Sequence, residues 1–160
     1  MKYIQILKVE FMGKKNTDWN AVEAYFDRYN GKKYTVQKYG DDVLVNALSA
    51  DEFANSKYSG RLRGALAKVK ANMVTVLPEL IENADNRRWV ENKSCKHVND
   101  ASRGWYRYDV GVEIPVKSLE EIERRWNKYC GTLIVRCNDN GLLFYDIINI
   151  KKEVSTPPES

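Results

Sequence analysis

A single histidine, a run of cations through the middle of the chain, and an arginine set among apolar residues are the groups with chemistry to offer. His97 is the only imidazole, and it stands beside Lys96 with Lys93 and Arg103 nearby in sequence. An unperturbed imidazole titrates near ~6.5, so it can act as acid or base close to neutrality. Upstream, Lys57, Arg61 and Lys68 fall on roughly one helical face, and Arg63 and Lys70 repeat the same seven-residue spacing one strip over. Arg136 follows the apolar run Leu133-Ile134-Val135, and Tyr145 lies in the next apolar stretch. A proton carrier, guanidinium forks and a phenol are the parts from which a phosphate site is assembled. Each also has an ordinary reading. Basic strips beside an apolar stripe are the solvated edge of an amphipathic helix, and Tyr145 in a strand is a half-core residue. Arg136 fits an edge position or an ion pair with Asp146, and His97 fits a loop held by hydrogen bonds.

The distribution of charge favours a polyanion partner. Of the net +4, residues 57–103 carry ten basic and five acidic side chains, residues 1–56 carry eight of each, and residues 104–160 carry eight basic and nine acidic. A local basic excess of this kind is the electrostatic footprint of nucleic-acid binding. Three cysteines, Cys95, Cys130 and Cys137, form no C-x-x-C pair, which argues against a disulfide framework and against a four-ligand zinc site. No metal and no cofactor is expected, and chemistry that needs two imidazoles is excluded.

The elements that must position these groups read as one domain of 160 residues, 43% hydrophobic and 30% charged. Its 4 Trp, 10 Tyr and 4 Phe are too many for a disordered chain. No apolar run approaches ~18 residues, so no membrane association is expected. The N-terminus lacks the form of a secretory signal, so the cytoplasm of the cell that makes the chain is the expected location. Period-two alternation predicts strands over 3–11, 33–39, 43–48, 105–116, 132–137 and 142–150. Thr17 or Asp18 caps a helix to Tyr29, and Ser49-Ala50-Asp51-Glu52 is read as a capping box for a short helix to about Ser56. Leu62, Ala65, Leu66, Val69, Met73 and Val76 mark a long helix from residue 60 to 76, continued or kinked at Pro78. Residues 85–103 read as a loop, and Ser118–Glu121 as a second capping box opening a helix with Leu119, Ile122, Trp126 and Tyr129 on its buried stripe. The expected class is α+β, a small antiparallel sheet with helices packed on one face, in the order β-α-β-β-α-α-β-α-β-β.

From residue 51 onward a spaced set of short motifs stands out. It comprises Asp51-Glu52-Phe53 with Ser56-Lys57-Tyr58, Ala67–Asn72, Leu77-Pro78-Glu79-Leu80-Ile81, Glu91-Asn92-Lys93 with Lys96-His97, Gly104-Trp105-Tyr106-Arg107-Tyr108, and Tyr145–Glu153. Over residues 50–157 the set resembles the large polyvalent protein-associated domain, third type, of phage and mobile-element proteins, often found at the end of minor head proteins of the MuF kind. That family looks related to barnase, EndoU, colicin and RelE-like nucleases. The resemblance implies a toxin-like nuclease domain over 50–153, preceded by a sheet-and-helix extension over 1–49 packed with the rest and followed by a tail over 154–160. The activity it implies is metal-independent RNA cleavage, with His97 as acid or base, Lys68 and Arg136 stabilising phosphate, and Tyr145 donating a second proton. Lys57, Arg61, Arg63, Lys70, Lys96 and Arg103 would then line the RNA. Two other classes compete with a ribonuclease. One is a catalytically silent binding module for nucleic acid, or for a host or phage protein such as a defence protein. The other is a virion-associated structural domain. Oligomeric state is open at this level.

Overall fold

A computed structural model of the chain describes residues 1–12, 17–92, 103–116 and 125–153. The fold is α+β and is built on a mixed, seven-stranded sheet. In chain order, β1 is Tyr3–Gln5, α1 is Trp19–Tyr25 with a 3-10 turn Phe26–Tyr29, β2 is Lys32–Val36 and β3 is Asp41–Val45. The helices α2 (Ala47–Asn55), α3 (Lys57–Arg61), α4 (Gly64–Met73) and α5 (Leu77–Glu82) follow, with a 3-10 turn Val74–Val76 between the last two. Four strands complete it: β4 (Asp85–Val90), β5 (Gly104–Pro115), β6 (Trp126–Asn138) and β7 (Gly141–Lys152).

The sheet order is β1-β5-β6-β7-β3-β2, and β4 pairs with β5 beside β1. The pairs β2/β3, β4/β5, β5/β6 and β6/β7 are antiparallel, as the turn sequences imply for β2/β3 and β6/β7. The sheet is nevertheless mixed and not small, because β1 joins β5 and β3 joins β7 in parallel. No helix among the described residues is long and apolar enough to cross a membrane. One buried cluster unites Ile4 and Ile6, Val22 and Phe26, Phe53, Val69 and Met73, Leu80 and Ile81, and the inward faces of β5, β6 and β7 at Tyr108, Val110, Leu133, Val135, Phe144 and Ile147.

Five expectations about elements are corrected. The first strand stops at Gln5, because the buried side chain of Asn72 takes over the backbone beyond it. Asn72 Oδ1 accepts from the amides of Glu10 (2.9 Å) and Phe11 (3.0 Å), and Nδ2 donates to the Phe11 carbonyl (2.9 Å). Leu7, two residues past the end of the strand, is exposed. The cap of α2 lies three residues earlier than read: Asn46 accepts from the amides of Leu48 and Ser49, and Ser49 Oγ accepts from the Asn46 amide. Ser49 is thus the returning partner of the box.

The long helix is two. The backbone at Leu62 (ψ 143°) and Arg63 (ψ 157°) is extended, and α4 starts afresh at Gly64 with φ +61°. The break resets the helical phase, so Ala65 of the predicted stripe is exposed while Lys70, Ala71 and Asn72 turn inward. Finally, Asp85–Val90 is a strand and not part of a loop, and Trp126–Tyr129 belongs to β6 and not to a helix. Trp126 and Tyr129 have helical spacing, but Tyr129, Gly131, Leu133 and Val135 also alternate at period two. The twelve-residue β5 offers every one of them a ladder partner, from Pro115 opposite Trp126 to Gly104 opposite Cys137. Tertiary pairing overrides local preference in such a segment. The proposed box Ser118–Glu121 lies outside the described residues.

Candidate functional site

The face of β5, β6 and β7 turned away from the main core carries the polar residues that matter. Residues opposite one another in a ladder share a face, and so do residues two apart along a strand. Trp105 is opposite Arg136, Arg136 is opposite Leu143, and Arg107 is opposite Ile134. These residues form one patch. Ile134 and Leu143 are buried within it but stand outside the main hydrophobic cluster. Tyr145 joins the patch through a β-bulge. Phe144 pairs with Val135 and Asp146 with Ile134, which leaves Tyr145 as the extra residue between them. Bulges re-aim side chains, and here the Tyr145 ring meets the Trp105 ring edge-on with centroids 4.7 Å apart.

Arg136 is nine-tenths buried within this patch, and its Nε has no hydrogen-bond partner among the described residues. The Nε of Arg107 is in the same state. The Tyr145 phenol is pushed up from its ordinary value, first by burial and then by the nearby Glu52 carboxylate, while Arg136 pulls it the other way. Tyr145 therefore stays protonated at neutral pH, the form in which a phenol donates a hydrogen bond or a proton.

The ion pair considered for Arg136 and Asp146 goes instead to Lys70. Lys70 Nζ donates to Asp146 Oδ1 at 2.6 Å and to Ser59 Oγ at 2.6 Å, and Ser59 Oγ donates to the Phe53 carbonyl at 2.6 Å. The ammonium also sits 4.7 Å from the Phe53 ring centre and 5.0 Å from that of Tyr58. Lys70 has no exposed surface and Asp146 only 2%. Burial pushes Lys70 down and Asp146 up, and their mutual attraction opposes both shifts. Lys70 consequently cannot line a nucleic acid; it ties α4 to β7.

The other expected cations spread over the surface. Lys57 and Arg61 are exposed on α3, and exposed Arg63 donates Nη1 to the carbonyls of Gly60 and Leu62 at 2.7 Å each. Lys68 is half-buried on α4. Arg103 is exposed and pairs with Asp139 at 3.1 Å. His97 and Lys96 lie outside the described residues, so the patch of Trp105, Arg136 and Tyr145 stands here without them. The ends of their segment are nevertheless fixed beside it: Val90 pairs with Trp105, and the Arg103 amide donates to the Cys137 carbonyl. Arg107 and Glu52 were not singled out as site residues. Arg107 was legible only as the polar partner of Trp105 in an alternating strand; that it faces Arg136 depends on register. Glu52 reaches Tyr145 from another element and leaves no local mark.

A second cluster closes the opposite side of β5. Arg87 Nη1 donates to both carboxylate oxygens of Asp41 at 2.9 Å, and Tyr108 donates to Asp41 Oδ2 at 2.7 Å. The Arg87 guanidinium lies 4.6 Å from the ring centres of both Tyr39 and Tyr106. Every charge in this cluster is matched, so it fixes β4 against β3 and leaves nothing for a ligand.

Comparison with known families gives one match: the model of the large polyvalent protein-associated domain 3 covers residues 13–121. It takes in most of the first 49 residues, which the motif set had left out, and ends before β6 and β7. No curated protein and no solved structure matches the chain.

Proposed function

The chain belongs to the large polyvalent protein-associated domain 3 family, a domain of polyvalent phage and mobile-element proteins, and on that premise we propose that it binds RNA through the patch of Trp105, Arg136 and Tyr145. The observation that carries this reading is the nearly buried Arg136, whose Nε has no partner among the described residues and which lies opposite Trp105, itself in edge-on contact with Tyr145, while Asp146 is engaged by Lys70. A buried donor without a partner is costly, and a phosphate offers acceptors with the geometry a guanidinium prefers. Aromatic and arginine side chains together are also the surface on which unpaired bases stack. The exposed cations Lys57, Arg61 and Arg63 add long-range attraction for a polyanion.

Cleavage is the stronger form of the same reading. With Lys70 locked in its ion pair, His97 is the acid or base at the ribose, the protonated Tyr145 is the second proton donor, and Lys68 and Arg136 stabilise phosphate. The test is labelled total RNA in EDTA with the native protein, His97→Ala and Arg136→Ala. Cleavage lost in His97→Ala establishes a metal-independent ribonuclease. Salt-sensitive binding without cleavage, weakened in Arg136→Ala, establishes a silent RNA-binding module. RNA that is neither bound nor cut at micromolar protein overturns the RNA reading and leaves the protein-partner and virion alternatives.

A further inference from the structure

We propose that Arg107 and Arg136 together form a clamp for a single phosphoryl group. This deepens the RNA reading and rests on it only for the source of the phosphate. The two residues are diagonal neighbours on one face of the sheet: Arg136 faces Trp105, and Arg107 lies two residues further along β5, opposite Ile134. Such diagonal neighbours stand about 7–8 Å apart at Cβ, a spacing that lets two guanidinium forks converge on one tetrahedral anion.

Both side chains have a buried Nε–H with no acceptor among the described residues. Their neighbours explain why no carboxylate fills the place. Asp109 shares their face but is occupied by Arg88 at 3.1 Å and by the Asn86 amide at 2.8 Å. Arg88, directly opposite Arg107, gives its Nη1 also to the Asn86 carbonyl. Asp146 is bound to Lys70, and Glu52 stands beside the Tyr145 phenol. Arg107 and Arg136 are thus diagonal neighbours on a partly buried face, with Asp109 and Asp146 already ion-paired and Glu52 hydrogen-bonded to Tyr145. Native structures rarely leave buried donors unsatisfied. Both Nε atoms are covered in the unliganded chain, so an oxyanion meets the outer guanidinium nitrogens first and takes the Nε–H donors as the two side chains shift toward it. The chemistry fits the phosphodiester of a strand and the phosphate of a small ester equally, so the experiment separates these sources.

The probes are inorganic phosphate and a short single-stranded RNA, each titrated into the full chain while the arginine Nε–Hε resonances are followed by NMR. Arg107→Lys and Arg136→Lys assign the two signals and keep the charge while removing the fork. The expected result is that phosphate moves both signals and that each variant binds it about ten-fold more weakly or worse. If RNA also moves them, the clamp and the RNA reading both stand. Phosphate binding without RNA binding keeps the clamp and assigns it to a small phosphate ester. RNA binding that leaves both signals unmoved overturns the clamp and the placing of RNA on Arg136, while RNA binding by another surface of the chain survives. Silence toward both probes overturns both. Should Arg136→Lys fail to fold, the native spectra and the half-buried Arg107→Lys still decide the matter.

Discussion

At the scale of single residues, the most consequential placement is that of Lys70. It sits seven residues from Arg63 on a sequence-drawn basic strip, yet the structure buries it completely against Asp146, Ser59 and two aromatic rings. Removing one partner of a buried pair leaves the other charge without compensation and costs about 3–5 kcal/mol, whereas replacing both by apolar groups of similar volume is often close to neutral. Lys70→Met should therefore destabilise the fold by about that amount in urea denaturation, and Lys70→Met combined with Asp146→Leu should recover most of the loss. A single variant as stable as the native chain would show that the pair is not the tie between α4 and β7. Arg136 is the converse case. Its oddity in an apolar strand was visible in the sequence, but its neighbours were not, because they come from β5 and from a bulge in β7.

At the scale of elements, β5 decides the layout. One strand of twelve residues pairs with β6 along its whole length, with β4 over its first half and with β1 over its second. Its first residue, Gly104, has φ +133°, a region that residues with a side chain avoid. A Cβ there would come within 2.6 Å of the Val90 carbonyl and 2.7 Å of the Trp89 ring. Gly104→Ala should cost about 1–3 kcal/mol from backbone strain alone. The loosening should centre on the start of the β4/β5 ladder, read as faster amide exchange at Trp105 and Tyr106 than at Val112. Uniform exchange rates across β5 would contradict this. The short-range signals for these elements were sound: turns, caps and period-two runs placed β2, β3, β5 and β7 to within a few residues. The failures came where two periodicities coexisted, at Trp126–Tyr129, or where a helix restarted without a strong breaker, at Leu62–Arg63.

At the scale of the whole molecule, aromatic packing sets the response to alkali. Burial is the leading cause that pushes the phenols of Tyr29 and Tyr108 well above their ordinary range, and Asp41 adds to the effect at Tyr108. In the unfolded chain both ionise near pH ~10, while in the folded chain they do not, so above that pH the folded state holds more protons. Stability is then complete below pH ~10 and falls as pH rises, by up to about 1.4 kcal/mol per pH unit for each of these tyrosines. Tyrosinate absorbance for the two should appear together with the loss of secondary structure. Ionisation in a still-folded protein would contradict their burial.

The sequence by itself determined the class of the fold, most of its strands, the surplus of positive charge in the middle third and the family, because all of these are written in local pattern and composition. Only the tertiary structure decided which cations remain for a ligand. Lys70 is buried on α4 together with its stripe neighbours Val69 and Met73, because Asp146 of β7 lies across from it. The register of β5 on β6, set by a ladder between residues some thirty apart, puts Arg107 and Arg136 on one face. Phase and register depend on which partner each element finds, and no spacing along the chain records that choice.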